Sequence, residues 1–79
     1  MRIPRDLSGA DLAETLCRRW QYKMVHQVGS HIILETEEPD HQGIAIPDHR
    51  PLRLGTLASI LRAAAGHKRV TRDAIIESL

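Results

Sequence analysis

The stretch Val28-Gly29-Ser30-His31-Ile32-Ile33-Leu34 decides the fold that we expect for this chain. Its Gly29-Ser30 pair is a two-residue turn signal between apolar runs, and glycine at the first central position suits a type II′ hairpin, where φ is positive. His31 then opens the second strand, directly beside the turn. An unperturbed imidazole titrates near neutral pH, so this position places a candidate proton carrier on a regular element.

Strands are predicted on both sides of this turn. The strand before it, residues 22–28, alternates with a period of two, and four side chains share one predicted face: Tyr22, Met24, His26 and Val28. The strand after it, residues 31–36, is rich in β-branched residues. A third short strand over residues 43–46 ends at Pro47. Because the connections are short, the three strands form a meander with antiparallel neighbours.

Helical periodicity flanks the strands. Ser8-Gly9-Ala10-Asp11 has the pattern of a capping box, with Ser8 as N-cap of a helix over about residues 9–20. A second helix covers about residues 56–65, with Thr56 as its N-cap and Gly66 at the C′ position that stops it.

Thr71 caps a last short helix. The order α-β-β-β-α-α predicts an α+β fold, in which a three-stranded antiparallel sheet carries the helices on one face. The length of 79 residues fits a single domain, residues 1–79.

Charge is divided unevenly along the chain. Residues 35–48 hold five acidic and no basic side chains, whereas residues 49–72 hold six basic and no acidic ones. A phosphate ligand responds to such a local patch more than to the net charge of +1. The alternative is that both segments are simply solvated faces. Aromatic residues make up only 3%, which argues against a sheet that binds RNA by stacking several bases.

The cysteine and histidine content narrows the chemistry. Cys17 is the one cysteine, so a disulfide within the chain is impossible and a cytoplasmic location is expected. Its place on an apolar helical stripe predicts a small buried hydrophobe. The five histidines lack paired short spacings, which argues against a metal site. Neither a signal-like start nor a long apolar run is present, so we expect no membrane span.

Four sequence blocks stand out along the chain: Leu7-Ser8-Gly9, Gly29-Ser30-His31, Ile46-Pro47-Asp48-His49 and residues 54–61, which contain Gly-Thr-Leu-x-x-Ile-Leu. In this order and at these distances, they resemble the HicA (YcfA-like) mRNA interferase toxins of bacterial and archaeal toxin–antitoxin systems. The resemblance runs from about Leu7 to Leu79, which is nearly the whole chain.

The resemblance implies a fold similar to a double-stranded RNA-binding domain and cleavage of RNA, with mRNA as the substrate. It also implies that no cofactor is needed, that a HicB-like antitoxin inhibits the chain, and that His31 is the catalytic histidine. Two positions depart from the family pattern. Gln21 stands where the family often has glycine, and Ile32 stands where many members carry a second histidine.

RNA can be cut without metal when a base activates the 2′-OH and an acid protonates the leaving 5′-oxygen. His31 fits either role, and His49 is the candidate second proton carrier. Arg50 and Arg53 are candidates for phosphate contacts, because guanidinium groups bind phosphate through two donors. The Gly29-Ser30 turn offers backbone N–H groups and a hydroxyl to the same phosphate.

Simpler roles exist for each of these residues. His31 could be a structural residue at a strand end, His49 a loop residue, and the arginines a solvated surface. At the level of the whole chain, two other functions stay open. One is an RNA-binding module of the same fold without catalysis, and the other is a protein-interaction domain that shows no salt-dependent RNA binding.

Overall fold

Three helices and three strands make up the chain in the computed structural model, which describes residues 4–79; residues 1–3 of the predicted domain lie outside this part. In chain order they are α1 (Gly9–Arg19), β1 (Lys23–Val28), β2 (His31–Thr36), β3 (Gln42–Pro47), α2 (Leu54–Lys68) and α3 (Arg72–Glu77). This order confirms the predicted α+β class and its α-β-β-β-α-α arrangement.

The sheet is the predicted antiparallel meander, with β2 between β1 and β3. Val28 pairs with His31 across a two-residue loop, so the hairpin forms where the sequence predicted it. Gly29 has a φ of 59°, whereas Ser30 is not among the positive-φ residues, as a type II′ turn requires. A Cβ at Gly29 would meet nothing within 4 Å, so the backbone angle alone favours glycine there.

The helices pack on one face of the sheet and form the core with it. The largest fully buried side chains come from both layers: Leu12, Leu16, Leu34, Ile46, Leu57, Leu61 and Ile75. The other side of the sheet, which we call the open face, carries no helix layer. By strand register its members are Lys23, His26, Val28, His31, Ile33, Glu35, Gly43, Ala45 and Pro47. Because these residues stay exposed or half-buried, this face is available to a ligand.

The predicted alternation of β1 is wrong. A bulge at Val25 shifts the register, so that Met24 pairs with Leu34 but Gln27 pairs with Ile32. Met24 therefore shares the core side with Gln27, while His26 and Val28 lie together on the open face. Tyr22 precedes the strand and is buried at 4% exposure, so the four residues do not share one face.

The predicted limits of α2 are also wrong. The helix starts at Leu54 behind Arg53, which makes no side-chain cap, and it continues to Lys68. Thr56 and Gly66 therefore lie within the helix. Arg69 ends it instead in the left-handed region, with φ 59° and ψ 42°, and the Val70 N–H donates to the Ala65 carbonyl at 3.0 Å. Beyond Gly66 the helix is held by side-chain contacts of its last two residues, because His67 lies 2.8 Å from the Asp40 carbonyl oxygen and Lys68 donates to the Thr36 hydroxyl and the Glu38 carbonyl. Such tertiary contacts override a local stop signal.

The side-chain N-caps predicted at Ser8 and Thr71 are confirmed. The Ser8 hydroxyl accepts from the Asp11 N–H at 3.0 Å, and the Thr71 hydroxyl accepts from the Ala74 N–H at 3.1 Å. Cys17 is half-buried against the core and not fully buried as predicted, and burial raises the pKa of its thiol. No helix within residues 4–79 is long and apolar enough to cross a membrane.

Candidate functional site

His31 is the first residue of the central strand, β2, and lies on the open face directly beside the hairpin turn. It pairs with Val28 on β1 and with Pro47 on β3, so neighbouring strands fix its backbone on both sides. The Asp48 N–H donates to the Ser30 carbonyl at 2.6 Å and ties the turn to the end of β3. The imidazole itself is exposed and has no hydrogen-bond partner among residues 4–79. Its ring is thus free to meet a ligand.

A groove of about 670 Å³ runs from His31 to the start of α2. The sheet contributes His31, Ala45 and Pro47, and the first two turns of α2 with the residue before them contribute Arg53, Gly55, Thr56, Ser59 and Ile60. This volume falls within the usual range for a small-ligand site. The groove therefore brings the His31 imidazole and the Arg53 guanidinium to one cavity, although they lie far apart in the sequence.

A second, smaller hollow of about 260 Å³ adjoins the groove. It is lined by Pro47, His49, Leu52, Arg53 and Thr56. Three of these residues, Pro47, Arg53 and Thr56, also line the groove. Arg53 consequently borders both cavities, with His31 in one and His49 in the other.

The start of α1 holds the loop that carries His49. The Gly9 N–H donates to the His49 carbonyl at 2.9 Å, and the Leu52 N–H donates to the Leu7 carbonyl at 2.8 Å. A Cβ at Gly9 would collide with the Pro47 carbonyl oxygen, so only glycine permits this approach. The Leu7-Ser8-Gly9 block thus has a structural role, because its contacts hold Pro47 and the loop after β3 in place at the wall of the groove.

The structure separates the other candidates. Arg50 is exposed in the loop after β3 and lines neither cavity among the described residues, so Arg53 is the better-placed guanidinium. Gly29 and Ser30 stay in the turn next to His31 and do not line the groove. The proposed phosphate contacts of all four residues remain predictions.

Sequence reasoning did not assign three polar residues near His31. Thr56 and Ser59 lie one turn apart on the groove side of α2, and within the described chain neither hydroxyl has a hydrogen-bond partner. His26 lies on the open face, because it shares the face of Val28, which pairs with His31. The signal for this was present, since the period of two put His26 and Val28 on one face and the Gly29-Ser30 hairpin put Val28 opposite His31.

The spacing of the histidines also did not predict a cluster of possible cation ligands at the other end of β2. Glu35, Glu37 and His41 bring ligand atoms within 4.8 Å of one another, so they could hold a cation. His41 Nδ1 lies 2.8 Å from Glu37 Oε2, and this hydrogen bond raises the pKa of His41. Glu37 and His41 are exposed and Glu35 is half-buried. Glu35 lies four residues along β2 from His31, and the cluster is outside the groove.

The basic segment does not form one continuous patch. Lys68 donates to the Thr36 hydroxyl at 2.9 Å and to the Glu38 carbonyl at 2.6 Å, and its ammonium lies 4.7 Å from the centre of the Tyr22 ring. Desolvation lowers the pKa of Lys68, an effect that Glu38 opposes. Lys68 is therefore a structural residue. Arg53, by contrast, has no salt-bridge partner in the part of the chain that the structure describes.

Comparison of the chain with protein-family models, with curated proteins and with solved structures found no match. Its function therefore has to be inferred from its own residues. An imidazole, a guanidinium and two unpaired hydroxyls around one groove are the groups that acid–base chemistry at a phosphate uses.

Proposed function

We propose that this chain is a metal-independent endoribonuclease, the toxin of a HicA-type toxin–antitoxin system that cleaves mRNA in the cytoplasm. The single observation that carries the proposal is that His31 and Arg53 line the same groove. A general acid or base must lie beside the reacting phosphate, and a cation there stabilises the developing negative charge. Sequence blocks that resemble the HicA family give the proposal its substrate class.

The reaction that fits these groups needs two proton transfers. A base takes the proton of the 2′-OH, the 2′-oxygen bonds to the adjacent phosphorus, and the bond to the 5′-oxygen breaks. An acid then protonates the 5′-oxygen, which leaves a 2′,3′-cyclic phosphate and a 5′-hydroxyl. His31 supplies one of these transfers, and Arg53 binds the phosphate oxygens. No cofactor takes part in this scheme.

The partner that we propose is a HicB-like antitoxin that covers His31 and the groove. Covering the groove excludes RNA, and Arg53 and Arg50 offer electrostatic steering to an acidic partner because both are exposed. A complex that leaves RNA cleavage unchanged would contradict a covering inhibitor.

His31→Ala tests the proposed function. We expect purified parent protein to cut RNA and His31→Ala to be slower by roughly 10²–10⁴-fold, the usual contribution of one positioned acid or base. The fold should survive, because the exposed ring fills no core space, and we expect a stability loss of about 1 kcal/mol or less. His41→Ala is the matched control, since it removes an exposed imidazole outside the groove.

Growth and total RNA of a bacterium that expresses each variant extend the same test. Parent and His41→Ala should arrest growth and degrade RNA, and His31→Ala should do neither. A folded His31→Ala protein that cuts RNA at the parent rate would show that His31 is not catalytic.

A non-catalytic RNA-binding module is the second candidate. One observation favours it: no described residue hydrogen-bonds to the His31 ring, whereas catalytic imidazoles are commonly oriented by a partner. Parent protein that binds RNA with strong salt dependence but never cuts it would select this function.

A further inference from the structure

We propose that His26 is the second proton carrier of the site and works with His31 as an acid–base pair. The inference rests on the proposed function, because it concerns the same RNA cleavage. It replaces His49 in that role. Its basis is the position of His26 on the open face, where regular register from Val28 to His26 makes it a neighbour of His31.

Strand register places the two histidines as neighbours. His31 pairs with Val28, and His26 lies two residues before Val28 on β1 and pairs with Ile33. Paired residues in antiparallel strands share a face, so His26 and His31 are diagonal neighbours on the open face. Diagonal residues lie roughly 7–8 Å apart, a gap that long or aromatic side chains bridge. A phosphate between the two rings would be within hydrogen-bond reach of both.

The other imidazoles are less suited to this role. His41 is bonded to Glu37, and His67 Nε2 lies 2.8 Å from the Asp40 carbonyl oxygen. His49 sits in the loop after β3 and lines the smaller hollow. His26, in contrast, is exposed on a strand and has no hydrogen-bond partner within residues 4–79. A strand holds a catalytic side chain more precisely than a loop does.

The resulting site has an ordered arrangement across the sheet. His26 lies on β1, His31 on β2, and Arg53 at the far side of the groove that starts at His31. One imidazole accepts the 2′-OH proton while the other donates a proton to the leaving 5′-oxygen, so each cleavage leaves the pair in exchanged protonation states. Proton exchange with water restores them. The other titratable groups on this face are Lys23 and Glu35, which occupy directly opposite positions on β1 and β2.

The pH dependence of cleavage by His26→Ala is the first test. Parent protein should give a bell-shaped dependence of kcat/KM on pH, and His26→Ala should lose one limb and about 100-fold or more in rate. The affinity for a short single-stranded RNA should change by less than about twofold, because a proton carrier adds little to ground-state binding. His49→Ala serves as the matched control and should keep both limbs.

A substrate with sulfur at the bridging 5′ position of the scissile bond is the second test. Its leaving group needs no protonation, so the variant that lacks the acid should cut this substrate nearly as fast as the parent does. Rescue of either His26→Ala or His31→Ala, but not of both, supports the pair and identifies the acid.

Three outcomes would overturn the inference. In the first, His26→Ala cuts RNA at the parent rate, which leaves the proposed function intact. In the second, His49→Ala instead loses a pH limb. In the third, neither variant is rescued by the sulfur substrate. A parent protein that never cuts RNA would refute the proposed function itself.

Discussion

The two ends of α2 carry similar cations but use them differently. At its start, Arg53 is exposed, lines the groove and has no salt-bridge partner within residues 4–79. At its end, which we call the anchored end (residues 65–69), Lys68 is held by Thr36, Glu38 and the Tyr22 ring. A count of basic residues does not distinguish the two, whereas their contacts do: one cation is available to a ligand and the other fastens the fold.

The acidic loop after β2 explains this difference. It packs against the anchored end through His67, whose Nε2 lies 3.4 Å from Asp40 Oδ1. Directly after the loop, Gln42 at the start of β3 donates to the carbonyl of Ala63, which precedes the anchored end, at 3.1 Å. Tyr22 also donates to Gln42, and burial raises the pKa of Tyr22 to about 12. Within residues 4–79, the acidic loop therefore contacts the end of α2, whereas Arg53 at its start has no salt-bridge partner and is available to the groove.

Gly9→Ala should cause the largest loss of stability, and it should disturb the groove side of the molecule without touching the anchored end. The added Cβ collides with the Pro47 carbonyl oxygen, which is rigid backbone, so α1 and the loop after β3 must separate. We expect a loss of about 2–4 kcal/mol in the free energy of unfolding, as for other backbone clashes. Denaturant unfolding measures this loss.

Ser8→Ala is the comparison variant for Gly9→Ala. It removes only the N-cap of α1, and should cost about 1 kcal/mol. If Gly9→Ala were as stable as the parent, the close approach of α1 to Pro47 would be wrong.

The groove itself could not have been predicted from the sequence, although the hairpin and the order of the elements that border it could. The Gly29-Ser30 hairpin, the position of His31 and the α-β-β-β-α-α order follow from local signals, because turn chemistry and hydrophobic period act within a few residues. The groove joins His31 to Thr56 and Ser59, and this contact depends on how α2 packs beside β3. No local pattern encodes such a packing.

Backbone geometry at the helix ends shows the same limit. Gln21 and Arg69 both adopt a φ of 59°, a conformation in which glycine or asparagine is expected. Gln21 is the position at which the HicA resemblance expects glycine, so a signal was present there. Its carbonyl accepts from the Thr36 hydroxyl at 2.7 Å, which helps to hold the strained residue. Nothing in the sequence marks Arg69, because the preceding Gly66 is the stronger stop signal.

Replacing Lys68 or Arg53 with methionine should have the next largest effect on stability or RNA binding. The two variants should distinguish the two ends of α2. Lys68→Met removes two hydrogen bonds and the contact with the Tyr22 ring, so the free energy of unfolding should fall by about 1–2 kcal/mol. RNA binding should stay as in the parent. Arg53→Met should do the opposite, with stability unchanged within about 0.5 kcal/mol and weaker RNA binding.

The salt dependence of RNA binding measures the difference between these two variants. Removing one phosphate contact should lower the slope of log K against log salt by about one, and only Arg53→Met should show this. Equal slopes for Lys68→Met and Arg53→Met would mean that the two ends of α2 do not differ in their access to RNA.

The smallest expected effects come from the two glycines of α2, one at each end. Gly55 and Gly66 are both helical and exposed, and a Cβ at either would meet nothing within 4 Å. Gly66→Ala should raise the free energy of unfolding by about 0.5–1 kcal/mol, since alanine restricts the unfolded chain and favours helix. Gly55→Ala should give a similar or slightly smaller gain, because it lies in the first turn.

Of the two glycines, only Gly55 lines the groove, so the methyl group added there should weaken RNA binding, whereas Gly66→Ala should leave binding unchanged. Thermal unfolding and RNA affinity, measured on both variants, give this comparison; weaker binding by Gly66→Ala alone would place the RNA at the anchored end of α2.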